Sequence, residues 1–494
     1  MADVTKDVGK TESWGTRWGL ILSAIGMAVG TGNIWRFPRV AAANGGGPFI
    51  VLCILALFLW GIPILMAEAV LGKSTRFGVI GSFKKFIGEK YTWLGGCVAW
   101  ICLCVTFYYA VVVGYCLRYA VYAFSGVIKT GLDTELLWTT FSNNPTDKMT
   151  FHVIAMILCT LVIMKGIQAG IERVNKILIP SLFILLILLM LRAITLPGAM
   201  AGLEYLFSPA NIKLFASGRV WLEAFTQIAW STGAGWGLML TYFVYVKDEE
   251  DIALNATTVC FADTSAGLLA AMVVLPTIFA LSSDPGPILA AGNSGITFIH
   301  LTKLFTVMPM GRLAAILFFI ALSFAALSSL LSMVELGVRL LLDMGWSRQK
   351  AALFAGVAIT ILGLPSSYSM VFQDNQDWVW GVGLLVSGVL ITFAMMKYGI
   401  GKVYDEHIAP TSNINARWMW NFLYGVPVIF VIITGWWIWQ AATWYPGEWM
   451  KWLPMSKYAF SVGTIFYQWI PSFVVIYIMN KWFNKVMKYP AILD

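Results

Sequence analysis

The chain has 494 residues, 59% hydrophobic and 12% charged, with a formal net charge of +8. Soluble domains carry about 25% charged residues, so a soluble enzyme or binding domain is excluded. Nucleic acid is not indicated as a partner either, because Lys and Arg are scattered singly through short connections and form no stripe.

A helix that crosses a bilayer needs about 20 predominantly apolar residues. Twelve such spans are predicted, centred near residues 28, 58, 108, 158, 185, 232, 268, 326, 357, 387, 430 and 470, which makes the chain an all-α integral membrane protein. The first 17 residues mix Lys6, Lys10 and Arg17 with Asp3, Asp7 and Glu12, and no small-residue cleavage site closes the first apolar run. That run is therefore expected to stay as a span. With both termini cytoplasmic, the inner connections hold 21 of the 33 Lys and Arg, among them Lys73, Arg76, Lys84, Lys85 and Lys90. This asymmetry satisfies the positive-inside rule and predicts a multi-pass protein of the plasma (inner) membrane. The 7 cysteines lie in or at the ends of apolar runs, where a thiol packs as a small hydrophobe, so no disulfide and no metal centre are expected.

Most spans are uninterrupted, such as SLFILLILLMLRAITLP at 181–197, which stops at Pro197. Two are not. Span 1 holds Gly26, Gly30 and Gly32, and span 6 holds WSTGAGWG at 230–237 with Gly233, Gly235 and Gly237. Glycine costs a helix interior about 1 kcal/mol relative to alanine, so both spans can unwind there. In hydrocarbon an unpaired backbone group costs several kcal/mol, and irregular backbone survives only where protein, ions or ligand satisfy it. Small residues can also serve close helix packing, but two breaks at matching positions point to a lined cavity. Spans 1–5 and 6–10 form two halves with an odd number of helices, so they lie in opposite orientation, an inverted repeat whose site is at mid-membrane. Unwound carbonyls suit a small cation, and half-helix N-termini suit an anion.

The stretch WGTRWGLILSAIGMAVGTGNIWRFPRVAAANGGGPF at 14–49 resembles the first-helix signature of the neurotransmitter:sodium symporter family, with its GN-x-x-RFP and NGGG elements in order. The similarity runs over roughly residues 14–397, and the chain resembles the bacterial amino-acid transporter branch with the leucine-transporter fold. It implies a tail over 1–13, a transporter core over 14–397, and spans 11 and 12 with a C-terminal tail over 398–494.

The resemblance assigns the substrate carboxylate to the amides of Thr31 and Gly32 and the hydroxyl of Tyr109, and the amino group to carbonyls of Ala28, Trp230 and Ser231. Amine carriers of the family have aspartate at the position of Gly30, so this substrate brings its own carboxylate. A first sodium ion is implied at Ala28, Asn33, Ser231 and Asp263, and a second at Gly26, Val29, Ala325, Ser328 and Ser329. Taken alone, the two serines would more often bond back to their own helix turn. Side-chain selectivity falls to Val105, Tyr109, Trp230, Gly233, Trp236, Ser329 and Met333, an apolar and polarizable set that suits a neutral hydrophobic or aromatic amino acid.

Asp263 departs from the chloride-dependent branch, which has asparagine there, a serine at the position of Gly267 and a tyrosine at that of Cys53. An aspartate inside the membrane is a functional residue by default, and its charge is expected to replace chloride, although Gln227 still matches a chloride-site position. Arg36 and Asp377 match the outer gate of the family. Asp343 matches the acidic half of the inner gate, but the expected arginine three residues before Trp14 is Thr11, with Lys10 beside it. Glu68 and Glu335 are expected to bond unwound backbone, and DEED at 248–251 to form a solvated turn. LGKST at 71–75 lacks the glycine and the preceding strand of a phosphate loop, and His152, His300 and His407 show no ligand spacing. The aromatic run at 435–452 suggests an interfacial belt.

The sequence thus predicts a carrier that couples import of a neutral L-amino acid to sodium, two ions by resemblance, by alternating access in a lipid bilayer and without an organic cofactor. A transport-dead sensor or a channel on the same scaffold, and a membrane-embedded lipid-modifying enzyme, are the rival readings. The last needs acidic or histidine residues clustered at one interface, which the sequence does not offer. Oligomeric state is not legible.

Overall fold

The computed structural model describes residues 12–208, 212–282, 284–286, 288 and 295–491. Those residues form helices and connections, with no strand among them. The spans are Arg17–Ala28 with Gly32–Ala43 (span 1), Gly47–Thr75 (2), Glu89–Phe124 (3), Pro145–Ile163 (4) and Ile167–Ile194 (5). Gly218–Ser231 with Leu238–Phe243 make span 6. Ile252–Leu281 (7), Gly311–Asp343 (8), Arg348–Tyr368 (9), Met370–Tyr398 (10), Val426–Thr443 (11) and Val462–Ile478 (12) complete the set. Each predicted centre falls inside its span.

The repeat is visible in helix length. Spans 2 and 7 have 29 and 30 residues, spans 4 and 9 have 19 and 21, and spans 5 and 10 have 28 and 29. The helices at the heart of spans 3 and 8 have 33 residues each and pack along one another. Span 1 lies against spans 5, 7 and 8, while span 11 packs on span 10, and span 12 on spans 3 and 10.

Local chemistry fixes the ends. Thr16 Oγ1 accepts from the Gly19 amide at 3.0 Å, capping span 1, and donates to Glu172 at 2.9 Å. Asp251 caps span 7 by accepting from the Leu254 amide at 2.9 Å and is itself buried. The DEED segment is therefore not a solvated turn throughout: Asp248 pairs with Arg76, Glu250 with Arg17, and Asp251 accepts from the Asn413 amide at 2.7 Å.

One end of the bundle gathers Arg76, Lys84, Trp14 and the last described residues. Arg76 donates to Val244 O at 3.3 Å, Lys84 to Asn484 O at 2.6 Å, and the Ala491 amide to Arg76 O at 2.8 Å. It is called the basic end below, and its opposite the far end.

Candidate functional site

The two interrupted spans break differently. In span 1 the helix stops at Ala28, Val29 is extended, and a π-helical turn over Gly32–Arg36 restarts it, with the halves bent by 53°. In span 6 the chain between Ser231 and Leu238 turns through Gly233, Gly235 and Gly237 at φ of +70°, +98° and +76°. Gly235 also lies so close to span 10 that a Cβ would stand 2.9 Å from Leu384 O, so no other residue fits. Glu68 on span 2 accepts from the freed Gly235 amide at 2.7 Å and from that of Leu240 at 3.3 Å. A buried carboxylate thus satisfies the donors that the break releases.

The breaks face each other across a cavity of about 560 Å³. Ala28, Thr31, Gly32, Tyr109, Trp230, Ser231, Gly233, Trp236, Ser329 and Met333 all line it. Val105 does not: it is fully buried one turn before Tyr109 and is not a wall residue. On span 3 the wall is made by Tyr108, Tyr109 and Val112, and Val105, expected to contribute to selectivity, lies one turn nearer the basic end on the same face. The Tyr109 hydroxyl accepts from the Thr31 amide at 3.3 Å. A Cβ at Gly30 would stand 2.8 Å from Ser329 Oγ and 3.0 Å from the Tyr109 hydroxyl, whereas Gly32 faces open space. Trp230 and Trp236 meet edge to face at 5.4 Å, and Gly381 makes room for the Trp230 ring.

Asn33, Ser231 and Asp263 converge beside the cavity. Asn33 Nδ2 donates to Asp263 Oδ1 at 2.7 Å and Ser231 Oγ to Asp263 Oδ2 at 2.7 Å, so one buried carboxylate joins both breaks. Carbonyl, amide, hydroxyl and carboxylate oxygens are hard donors suited to a small hard cation. At the second set, Ser329 Oγ points between Gly26 O (3.2 Å) and Val29 O (3.3 Å), linking span 8 to the end of the first half-helix. Ser328 instead bonds back to Ala325 O at 2.9 Å.

Arg36 and Asp377 line the far side of the cavity but do not pair. Arg36 donates to Gln227 Oε1 at 2.6 Å and lies 3.9 Å from Glu223, while Asp377 is exposed and accepts from Tyr108 at 2.9 Å. Glu223, one turn before Gln227, was not singled out from sequence.

At the basic end, Asp343 does not reach toward the N-terminus, and Lys10 lies outside the described residues. Asp343 is held by Arg339 one turn earlier (2.8 Å) and by the Gly78 amide (2.8 Å). Its carbonyl accepts from the Lys488 and Tyr489 amides at 3.1 Å, so the C-terminal segment straps across it. The N-terminal segment is fastened elsewhere. Arg348 bonds Glu12 and Glu335, the latter at 2.5 Å, and Tyr245 donates to Glu335 at 2.8 Å. Glu335 therefore holds a side-chain network, not unwound backbone. Burial and the neighbouring carboxylate push the Tyr245 phenol above its ordinary range, so it stays a donor. Trp14 Nε1 donates to Tyr242 O at 3.0 Å.

This architecture has known counterparts. Residues 11–144 and 142–484 match the sodium:neurotransmitter symporter family. The chain belongs to that family. It is a sodium-dependent membrane symporter, and the enzyme reading is set aside. Among relatives of this symporter, an uncharacterized sodium-dependent transporter of Methanocaldococcus jannaschii is 32% identical over 442 residues, covering 85% of this chain and 89% of the relative. The uncharacterized sodium-dependent transporter YhdH of Bacillus subtilis is 31% identical, covering 86% and 97%. The sodium- and chloride-dependent GABA transporter 2 of Bos taurus is 25% identical, covering 80% and 74%. The crystal structure of MhsT in complex with L-phenylalanine superposes with a TM-score of 0.77 at 31% identity, covering 86% of the symporter and 99% of MhsT.

Proposed function

We propose that this symporter imports a neutral, hydrophobic or aromatic L-amino acid with two sodium ions, independently of chloride, by alternating access. The observation that carries the reading is the bridge from Asn33 through Asp263 to Ser231, which ties the breaks of spans 1 and 6 to one buried charge beside the cavity. A cation there would touch both breaks and the carboxylate of a zwitterion seated on Thr31, Gly32 and Tyr109. Direct contact makes each ligand raise the affinity for the other by the same factor.

Three further features support the details. A side chain at Gly30 would press on Ser329 Oγ and the Tyr109 hydroxyl, and the glycine found there suits a substrate that carries its own carboxylate. Trp230, Trp236 and Met333 offer an apolar wall, and the solved relative MhsT was crystallised with L-phenylalanine. A Cβ at Gly267 would stand 2.9 Å from the Phe37 ring, so the serine of the chloride-dependent branch would not fit without displacing Phe37, and Asp263 supplies the charge. The basic end is the cytoplasmic end in this reading, and the cavity opens outward while Arg36 and Asp377 are apart.

The test is counterflow in proteoliposomes loaded with unlabelled amino acid. Sodium-dependent accumulation of labelled amino acid marks a carrier; sodium-dependent binding with no exchange marks a sensor and refutes the proposal.

A further inference from the structure

Away from that site, a groove of about 640 Å³ runs at the basic end between the start of span 3, span 10 and the end of span 12. Leu94, Leu390, Phe393 and Ile478 give it apolar walls, and Lys90 and Lys481 line it too. It belongs to the outer surface of the bundle, since Ile478 is 72% and Tyr477 62% exposed. Aromatic pairs brace it: Tyr91 with Phe393 at 5.7 Å and Trp93 with Tyr477 at 5.4 Å.

The charge around it is one-sided. Lys90 and Lys397 each sit 5.8 Å from the Tyr91 ring, and among the described residues neither they nor Lys481 pair with a carboxylate. The neighbouring acid, Glu89, is engaged by Lys84 at 3.7 Å. The Asn480 amide is satisfied within the fold, accepting from the Trp93 amide at 2.8 Å and donating to Glu89 O at 3.0 Å. What remains is an apolar trough at a membrane boundary, bordered by three cations that pair with no carboxylate among the described residues.

We propose that this groove holds one anionic phospholipid, with an acyl chain along Leu94, Leu390, Phe393 and Ile478 and the headgroup phosphate between Lys90 and Lys481. Basic pockets between spanning helices recognise anionic headgroups in this way, while lysine stems cover apolar surface and keep the ammonium at the interface. A zwitterionic lipid fits less well, because its own cation faces the lysines. The lipid ties peripheral span 12 to spans 3 and 10, which carry Tyr109 and Asp377.

Native mass spectrometry of delipidated protein, titrated with phosphatidylglycerol or phosphatidylcholine of identical chains, tests this. The wild type is expected to prefer phosphatidylglycerol by roughly tenfold or more, about 1 kcal/mol being the worth of each lysine near the surface. The K90Q/K481Q variant loses that preference, and K129Q, on a separate loop, keeps it. Retained sodium-dependent amino-acid binding by K90Q/K481Q shows that the variant is folded. Equal binding of both lipids by the wild type, or a preference that survives K90Q/K481Q, overturns the proposal. So does displacement of the lipid by millimolar inorganic phosphate, which would mark a site for a free anion.

Discussion

Asn33 and Asp263 are joined twice: Asn33 Nδ2 donates to the carbonyl of Asp263 at 2.9 Å and to its carboxylate at 2.7 Å. They lie 230 positions apart in the chain, one just past the break of span 1 and the other inside unbroken span 7. Because Ser231 holds the second oxygen of the same carboxylate, the two breaks cannot move independently of Asp263.

Asp263→Asn keeps the shape of this junction and removes its charge. Losing a hydrogen bond to a charged acceptor costs about 1.5–3 kcal/mol, so uptake in chloride-free gluconate medium should fall by roughly tenfold or more. Added chloride should restore part of it. Uptake into proteoliposomes in the two media checks this, and undiminished activity in gluconate would show that the charge is not required.

Tyr109→Phe removes the hydroxyl that accepts from the Thr31 amide. Amino-acid affinity should drop by roughly tenfold, about 1.4 kcal/mol, with little change in the thermal stability of the ligand-free protein. Gly30→Asp should abolish amino-acid binding, since its side chain meets Ser329 and Tyr109 and its charge opposes the substrate carboxylate. Sodium-dependent thermal shift measures both.

Much of this was legible in sequence, and the largest gap has a physical cause. The spans, their order and the two breaks are local properties of composition and glycine spacing, and the closely matched lengths of paired helices agree with the repeat inferred from them. Partners across the bundle are not local. Arg339, one turn before Asp343 on the same helix, was a readable partner at i,i+4 spacing, but nothing near Asp343 in sequence shows that the segment at 488–489 would cover it. Val105 shares a helix face with Tyr109, but it lies one turn nearer the basic end, outside the wall of the cavity. Glu223 had a readable signal, an acid one turn from Gln227 on a span that lines a vestibule with an arginine.

Arg36 must leave Gln227 to meet Asp377 if the far side closes. Gln227→Leu removes the competing acceptor and should favour closure, slowing release of bound amino acid several-fold. Asp377→Asn should slow uptake while leaving equilibrium sodium binding near wild type. A double-mutant cycle on Arg36→Gln and Asp377→Asn, read in uptake rates, should show strong non-additivity; additive effects would mean that the two never pair.

At the basic end, Arg348→Gln releases Glu12 and leaves Glu335 buried without its cation. Breaking such a pair costs about 3–5 kcal/mol, enough to loosen the N-terminal segment. Hydrogen exchange over residues 12–20 should rise markedly, including at the Trp14 amide that now bonds Tyr245 O. Removal of residues 484–494 should speed exchange around Asp343 and Gly78, with less effect at Trp14.

The most direct measurement is the affinity for L-phenylalanine, or the best amino acid from a thermal-shift screen, as sodium is replaced by potassium at constant ionic strength. Joint occupancy of the two breaks predicts affinity that rises with sodium, a reciprocal rise in sodium affinity with amino acid, and loss of both effects in Asp263→Asn when gluconate is the anion. Equal affinity in sodium and potassium would contradict the account.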